Sequence, residues 1–125
     1  MAVLVDTSVI VDFLRGHQGA ERVLEEARLT APLHASEMTR LEVLADMRAH
    51  EEEGTRLLLT LFHWHPVDTI IAERAGELGR RWLPSHGSID GADLAIAATA
   101  MVIGCPVLTC NVKHFPMFVN LKKPY

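Results

Sequence analysis

Short apolar runs rich in β-branched residues alternate along the chain with longer segments of helical character. The runs that predict strands are Ala2–Val5, Pro32–Ala35, His63–Val67 and Pro106–Thr109, with a weaker one at Phe118–Leu121. Runs such as AVLV and PVLT are continuously apolar, which is typical of parallel strands buried on both faces. The pattern therefore predicts a central, mostly parallel sheet of four to five strands.

The segments between these runs predict helices, because their apolar residues recur every three to four positions. These segments are Val23–Ala27, Leu41–Ala45, Thr55–Phe62 and Asp68–Leu83. A last helix is predicted for the Ala-rich stretch GADLAIAATAMVIG, which is closed by a glycine and stopped by Pro106. Strands that alternate with helices favour βαβ units. The fold class predicted is α/β, a three-layer α/β/α sandwich.

Composition fits one domain that spans residues 1–125, since 49% of the residues are hydrophobic and can form a core. No stretch approaches the roughly 18 consecutive apolar residues of a membrane span, and no basic segment precedes the first apolar run as in a signal peptide. We therefore expect a cytoplasmic protein with no membrane association. Cys105 and Cys110 are expected to be reduced thiols. The formal net charge of −4 does not indicate a nucleic-acid-binding protein.

Polar residues stand where the predicted strands end. Asp6 follows the first strand, Ser36 the second and Asn111 the last. Open α/β sheets bind ligands beyond the carboxyl ends of their strands. Glu42 lies six positions after Ser36, on roughly the same face of the following helix, and Asp93 lies at the start of the Ala-rich helix. These side chains are therefore expected to meet at one edge of the sheet.

Each of these residues also has a purely structural interpretation. Asp6, Ser36 and Asp90 or Asp93 could cap helices. A convergence of three carboxylates is costly, however, because two unit charges about 4 Å apart repel by on the order of 4 kcal/mol at an effective dielectric near 20. A divalent cation relieves that repulsion. Oxygen ligands with no histidine or cysteine expected nearby favour Mg²⁺, or Mn²⁺, over zinc.

Four blocks in order give the chain a family resemblance: VLVDTSVIVDFLRG, SEMTRLEVLAD, DLAIAATA and VLTCNVKHFPMF. Together they strongly resemble the PIN-domain ribonucleases, and among them the VapC toxins of VapBC toxin–antitoxin systems. The resemblance implies a magnesium-dependent endoribonuclease that cuts structured RNA such as tRNA or rRNA and thereby inhibits translation and growth. It also implies a homodimer, and an antitoxin partner, VapB, that inserts a segment into the active site.

The resemblance assigns the family's three acidic positions to Asp6, Glu42 and Asp93, as metal ligands and catalytic residues. Glu42 is the residue expected to orient or deprotonate the attacking water. Asn111 stands where many PIN domains have an aspartate, so the number of metal ions stays open. His114 follows where some members carry another aspartate.

Further residues are assigned supporting roles. Thr7 and Ser8 match hydroxyls that hold the first aspartate, and Asp90 is a neighbouring acid that supports the site. Ser36 is included as a polar group at the same edge of the sheet. The candidates for substrate contact are His86, Lys113, Arg80 and Arg81, each of which could instead be an ordinary surface residue.

Apolar residues beyond the needs of a small core are candidates for the dimer interface, and the alternative is that they face the sheet. They are Leu57, Leu58, Leu61 and Phe62. The alternative mechanism is one-metal, RNase A-type chemistry, in which histidines act with the RNA 2′-hydroxyl. His63 and His65 alternate along one strand face, which is more typical of a surface pair than of such catalysis.

Other functions fit the sequence less well. Haloacid-type phosphoryl transfer needs the motif Asp-x-Asp after the first strand, and a receiver domain needs a pair of acidic residues there. The residues at that point are Asp-Thr-Ser, which match neither requirement. No phosphate-binding glycine motif is present, which disfavours nucleotide binding. The alternative that stays open is a catalytically weak PIN-like module that binds RNA or antitoxin, because Asn111 contributes no charge.

Overall fold

A computed structural model describes residues 1–125 and contains four strands and six α-helices. The strands are β1 (Val3–Val5), β2 (Leu33–Ser36), β3 (Phe62–His65) and β4 (Val107–Leu108). The helices are α1 (Thr7–Leu14), α2 (Gln18–Thr30), α3 (Glu37–Asp46), α4 (Glu52–Leu59), α5 (Thr69–Trp82) and α6 (Gly91–Ile103). Two 3₁₀ turns cover Ala49–Glu51 and Val112–His114.

The strands form one parallel sheet in the order β3-β2-β1-β4. The first strand, β1, therefore lies inside the sheet, and the last strand, β4, lies beside it at the edge. The predicted third strand ends early, at His65, because Pro66 has no N–H group to donate. The prediction of a fifth strand at Phe118–Leu121 is wrong. That segment forms turns, and Phe118 packs its ring 6.3 Å from the ring of the fully buried Phe115.

Each face of the sheet is covered by helices, which confirms the predicted three-layer sandwich. Neighbouring residues of β1 point to opposite faces: Val5 packs with Val9 and Ile10 of α1, while Leu4 packs with Ile96 of α6. Helix α6 is rich in small alanine side chains, and its residues 94–100 are buried. This tight packing holds the first turn of α6 beside the carboxyl ends of the strands.

Two of the residues expected at a dimer interface instead belong to the core. Leu58 and Phe62 are only 6% and 7% exposed and pack against the sheet, so their assignment to an interface is wrong. Leu57 and Leu61 are 70% and 48% exposed. For Leu57 and Leu58 the difference follows from helical phase, because residues one position apart on α4 point about 100° apart.

Both cysteines are free thiols, as expected. None of the helices combines the length and the apolar character required to cross a membrane.

The β2–β3 edge of the sheet carries three histidines, His34, His63 and His65, here called the histidine cluster. The parallel register pairs His34 with His63. The ring centroid of His34 lies 5.4 Å from that of His63 and 5.0 Å from that of His65. His63 is exposed, whereas His34 and His65 are half-buried. The rings of His63 and His65 on β3 therefore both lie close to the ring of His34 on the neighbouring strand β2.

The histidine cluster should make the protein sensitive to acid. Burial first, and neighbouring histidines second, lower the pKa of His34 and His65 below the ordinary 6.5. The unfolded chain then binds more protons than the folded one just below pH 6.5, so the free energy of unfolding falls as the pH drops through that value. Chemical denaturation on both sides of pH 6.5 should show a smaller loss for His34→Gln than for wild type or for the exposed control His50→Gln. Equal losses in all three proteins would contradict this origin.

Candidate active site

The carboxyl ends of β1 and β4, the start of α6 and one face of α3 surround a cavity of about 360 Å³. Its lining residues are Asp6, Thr7, Ser8, Val11, Asp12, Glu42, Asp90, Asp93, Cys110, Asn111 and His114. The structure therefore brings together all three predicted acidic positions, together with Asn111, at one edge of the sheet. Five further predicted residues do not line this cavity, and they are described below.

Asp6 is the most firmly held of the acidic residues. It is 2% exposed, and its Oδ2 accepts hydrogen bonds from the hydroxyls of Thr109 at 2.7 Å and Ser8 at 2.8 Å. The Ser8 backbone N–H also donates to Oδ2, so Asp6 is the N-cap of α1. No protein group donates to Oδ1, which is not sealed off from solvent. The structural and the functional interpretations of Asp6 are therefore compatible, because the two oxygens are used differently.

Glu42 approaches the cavity from the side of α3 and is half-buried. Thr7 donates its hydroxyl to Glu42 Oε1 at 2.6 Å and lies 3.1 Å from the hydroxyl of the buried Thr39. Thr7 thus holds Glu42, and the expectation that it helps to hold Asp6 is wrong. Successive residues of a helix point about 100° apart, so Ser8 faces Asp6 while Thr7 faces α3.

Asp90 and Asp93 form a reciprocal capping box at the start of α6. Asp90 Oδ1 accepts from the Asp93 backbone N–H at 2.8 Å, and Asp93 Oδ2 accepts from the Asp90 backbone N–H at 3.1 Å. Asp93 is 8% exposed. Burial above all, and then the Asp90 carboxylate, raise the pKa of Asp93 to about 6, although its hydrogen bond from the Asp90 backbone opposes the shift. Burial at this cavity wall therefore disfavours the charged form of Asp93, although His114 lies close enough to oppose that effect.

Two further residues line the cavity: His114, to which the family resemblance assigns no role, and Cys110, which is expected only to be a reduced thiol. His114 Nδ1 lies 3.0 Å from Asp93 Oδ2, and Cys110 also lines the cavity. The expectation of a site without nearby histidine or cysteine is therefore wrong. The 3₁₀ turn Val112–His114 folds the chain back over the end of β4, and such a turn is too short to leave a periodic signal in the sequence.

Thr109 is the most informative residue that sequence reasoning missed. It is fully buried, donates to Asp6 Oδ2 and accepts the Asn111 backbone N–H at 2.9 Å. It thereby joins residues that are 103 positions apart in the chain. A hydroxyl at the end of the otherwise apolar run PVLT was the available signal. The side chain of Asn111 is exposed at the cavity and makes no hydrogen bond to the protein.

The remaining predicted residues do not line the cavity. Ser36 is fully buried and caps α3 by accepting the Met38 backbone N–H at 3.1 Å, so its position is structural. Arg80 and Arg81 lie exposed in the last turn of α5, where Arg81 stacks on Trp82. His86 lies 2.7 Å from the Ser85 hydroxyl, and Lys113 is exposed on the 3₁₀ turn.

Comparison with known proteins identifies this arrangement. The family model described as the PIN domain matches residues 3–116, a range that contains Asp6, Glu42, Asp93 and Asn111. The chain belongs to the PIN-domain family. It is 42% identical over 123 residues to Ribonuclease VapC19 of Mycobacterium tuberculosis, with 98% of each chain covered. It is 41% identical to Ribonuclease VapC10 of the same organism, with 98% of this chain and 92% of that protein covered.

Solved structures agree with this PIN-domain assignment. A toxin–antitoxin complex from Klebsiella pneumoniae contains a chain that superposes with a TM-score of 0.82 at 28% identity, over 98% of both chains. The predicted resemblance to PIN-domain ribonucleases and VapC toxins is therefore confirmed, as is the PIN-like architecture with a four-stranded parallel sheet.

The donor chemistry of this PIN-domain cavity fits a hard divalent cation. Asp6, Glu42 and Asp93 offer carboxylate oxygens, Asn111 offers an amide carbonyl, and oxygen ligands suit Mg²⁺ and Mn²⁺. As the side chains stand, no three histidine, cysteine, aspartate or glutamate residues are arranged to hold a metal ion. Glu42 is directed towards Thr7, and Asp93 towards the capping box and His114. The side chains must therefore turn for three carboxylates to share one ion.

Proposed function

We propose that this protein is an endoribonuclease toxin of the VapC type, which hydrolyses phosphodiester bonds in structured RNA, tRNA or rRNA, and depends on Mg²⁺ or Mn²⁺. The observation that carries the proposal is the cavity in which Asp6, Glu42 and Asp93 meet, at the positions given by the family resemblance. Its relatives VapC19 and VapC10 are named ribonucleases. Cleavage of tRNA or rRNA would inhibit translation and growth.

The chain's own residues divide the work of the proposed reaction. Asp6 and Asp93 would hold the cation, and the Oδ1 of Asp6 accepts no hydrogen bond from the protein. The bound cation would supply Lewis-acid chemistry, by which the charge of the scissile phosphate is neutralised and water is made more acidic. Glu42 would complete the cation site and orient or deprotonate the attacking water once its carboxylate turns from the Thr7 hydroxyl that holds it. Asn111 adds a neutral oxygen, which favours one cation over a tightly held pair.

The proposal also includes partners. The chain's solved relative from Klebsiella pneumoniae is described as a toxin–antitoxin complex, which supports a VapB-type antitoxin as the neutralising partner of this chain. A homodimer is proposed as well, with Leu57 and Leu61 as the exposed candidates that remain for its interface. An RNA substrate and such a partner imply that the protein acts in the cytoplasm. Lys113, Arg80, Arg81 and His86 remain candidates for contact with RNA outside the cavity.

Cleavage of purified tRNA and rRNA by the metal-free protein, with Mg²⁺ or Mn²⁺ added back, tests the proposal. Fragments of defined length should form only with the cation present, and EDTA should stop their formation. Primer extension on the products then locates the cut. If the folded protein binds RNA or a co-expressed antitoxin but never cuts with either cation, the chain is the catalytically weak binding module instead.

A further inference from the structure

The histidine cluster takes no part in the proposed reaction, yet two of its nitrogens face each other closely. His34 Nδ1 lies 2.8 Å from His65 Nε2, across the parallel pair β2 and β3. The register places His34 opposite His63 and Ser36 opposite His65, so the contact is diagonal between neighbouring strands. Two ring nitrogens this close either share one proton or accept one cation between them.

The surroundings favour neutral rings, which offer lone pairs from both facing nitrogens once the ring that donates the shared proton changes to its other tautomer. Burial and neighbouring histidines lower the pKa of His34 and His65, and no carboxylate contributes to either shift. Because metal ions bind the neutral imidazole, a ring that resists protonation is a ligand at neutral pH. The cluster therefore has no acidic partner that would hold a charged imidazolium in place.

The distance between the two nitrogens is close to that of a chelate. Two nitrogens bound at about 2.0–2.1 Å in a tetrahedral site lie about 3.3 Å apart. The observed 2.8 Å must therefore open by about half an ångström, which a small rotation of two half-buried rings supplies. The other positions around such an ion would be filled by water, because the site lies on an edge of the sheet.

We propose that His34 and His65 form a two-imidazole site for a divalent transition metal, Zn²⁺, Ni²⁺ or Cu²⁺, separate from the carboxylate cavity. Imidazole suits these ions, whereas Mg²⁺ prefers oxygen ligands. The ion links the edge strand β3 to β2, which leads directly into α3 and Glu42. The occupied site thus stabilises the edge of the sheet beside the catalytic helix, and this role does not depend on the proposed nuclease activity.

Titration calorimetry on the full chain tests the site, after treatment with EDTA and dialysis, with ZnCl₂ as the probe. Millimolar Mg²⁺ is present throughout to occupy the oxygen ligands of the cavity. Wild type should bind Zn²⁺, and His65→Gln should bind it at least roughly tenfold more weakly, since even the loss of an outer-shell partner costs that much. The matched control His50→Gln, an exposed histidine on the Ala49–Glu51 turn, should bind as wild type does.

Equal Zn²⁺ affinity in wild type and His65→Gln would overturn the proposal. A second measurement covers the case in which His65→Gln fails to fold. Electron paramagnetic resonance of Cu²⁺ bound to wild type should show coupling to two imidazole nitrogens. A spectrum with oxygen ligands alone would mean that the two rings are only a hydrogen-bonded pair.

Discussion

Asparagine in place of Asp6 or Asp93 is expected to lower the rate of RNA cleavage at least about a hundredfold, because loss of a ligand should exceed the 10–100-fold cost of losing an outer-shell partner. The change keeps the shape of the side chain and removes its charge. Asparagine also retains an oxygen that can accept from Thr109 in the first case and from the Asp90 N–H in the second. The variants should therefore fold, so that lost cleavage reports on the cation site.

Two further variants separate charge at the site from charge elsewhere. Asp46→Asn is the matched control, because Asp46 is exposed and pairs with Arg15 outside the cavity. It should cleave as wild type does. Asp90→Asn should lose less than Asp93→Asn, since asparagine caps a helix about as well as aspartate. Cleavage rates and denaturation curves of all four variants are measured together. An inactive Asp90→Asn beside an active Asp93→Asn would exchange the roles of the two residues.

Phe115→Ala should cost about 3–5 kcal/mol of the free energy of unfolding, the usual range for removing a buried aromatic ring. Phe115 is 1% exposed and packs in the cluster with Leu4, Ile96 and Val107. It also directly follows the 3₁₀ turn that carries Asn111 and His114 to the cavity. Urea denaturation measures the loss.

The matched control for this loss is Phe118→Ala, because Phe118 is only partly buried against the same cluster. It should lose clearly less stability than Phe115→Ala. Equal losses would mean that the C-terminal segment is held as a whole and not by the single ring of Phe115.

The sequence predicts this fold well because its strongest signals are local. Continuous apolar runs identify buried strands, and helical periodicity identifies the segments between them. The apolar run at Phe118–Leu121 was wrongly predicted to be a strand, because a short apolar stretch can also pack against the core as a series of turns around Phe115. Interface residues were misassigned for a related reason, because composition identifies Leu58 as apolar but not the direction in which it points.

The acidic positions of the site could be predicted because strand ends converge on one edge of a parallel sheet. Their hydrogen-bond partners could not be predicted, because partners depend on sheet order. Thr109 reaches Asp6 only because β4 lies beside β1. Charge also suggested substrate contact for the arginine pair at the end of α5, but neither residue lines the cavity, so any contact they make with RNA lies outside it.

The bond between Thr109 and Asp6 also has a consequence during synthesis of the chain. A ribosome makes β1 well before β4, since Asp6 and Thr109 are 103 positions apart. Contacts of such long sequence separation form late, because the entropy of closing the loop opposes them. A nascent chain that ends before residue 109 can form β1 and α1, but Asp6 lacks the hydroxyl that fixes it. The cavity is therefore completed only after residue 109 has emerged from the ribosome, long after Asp6 has done so.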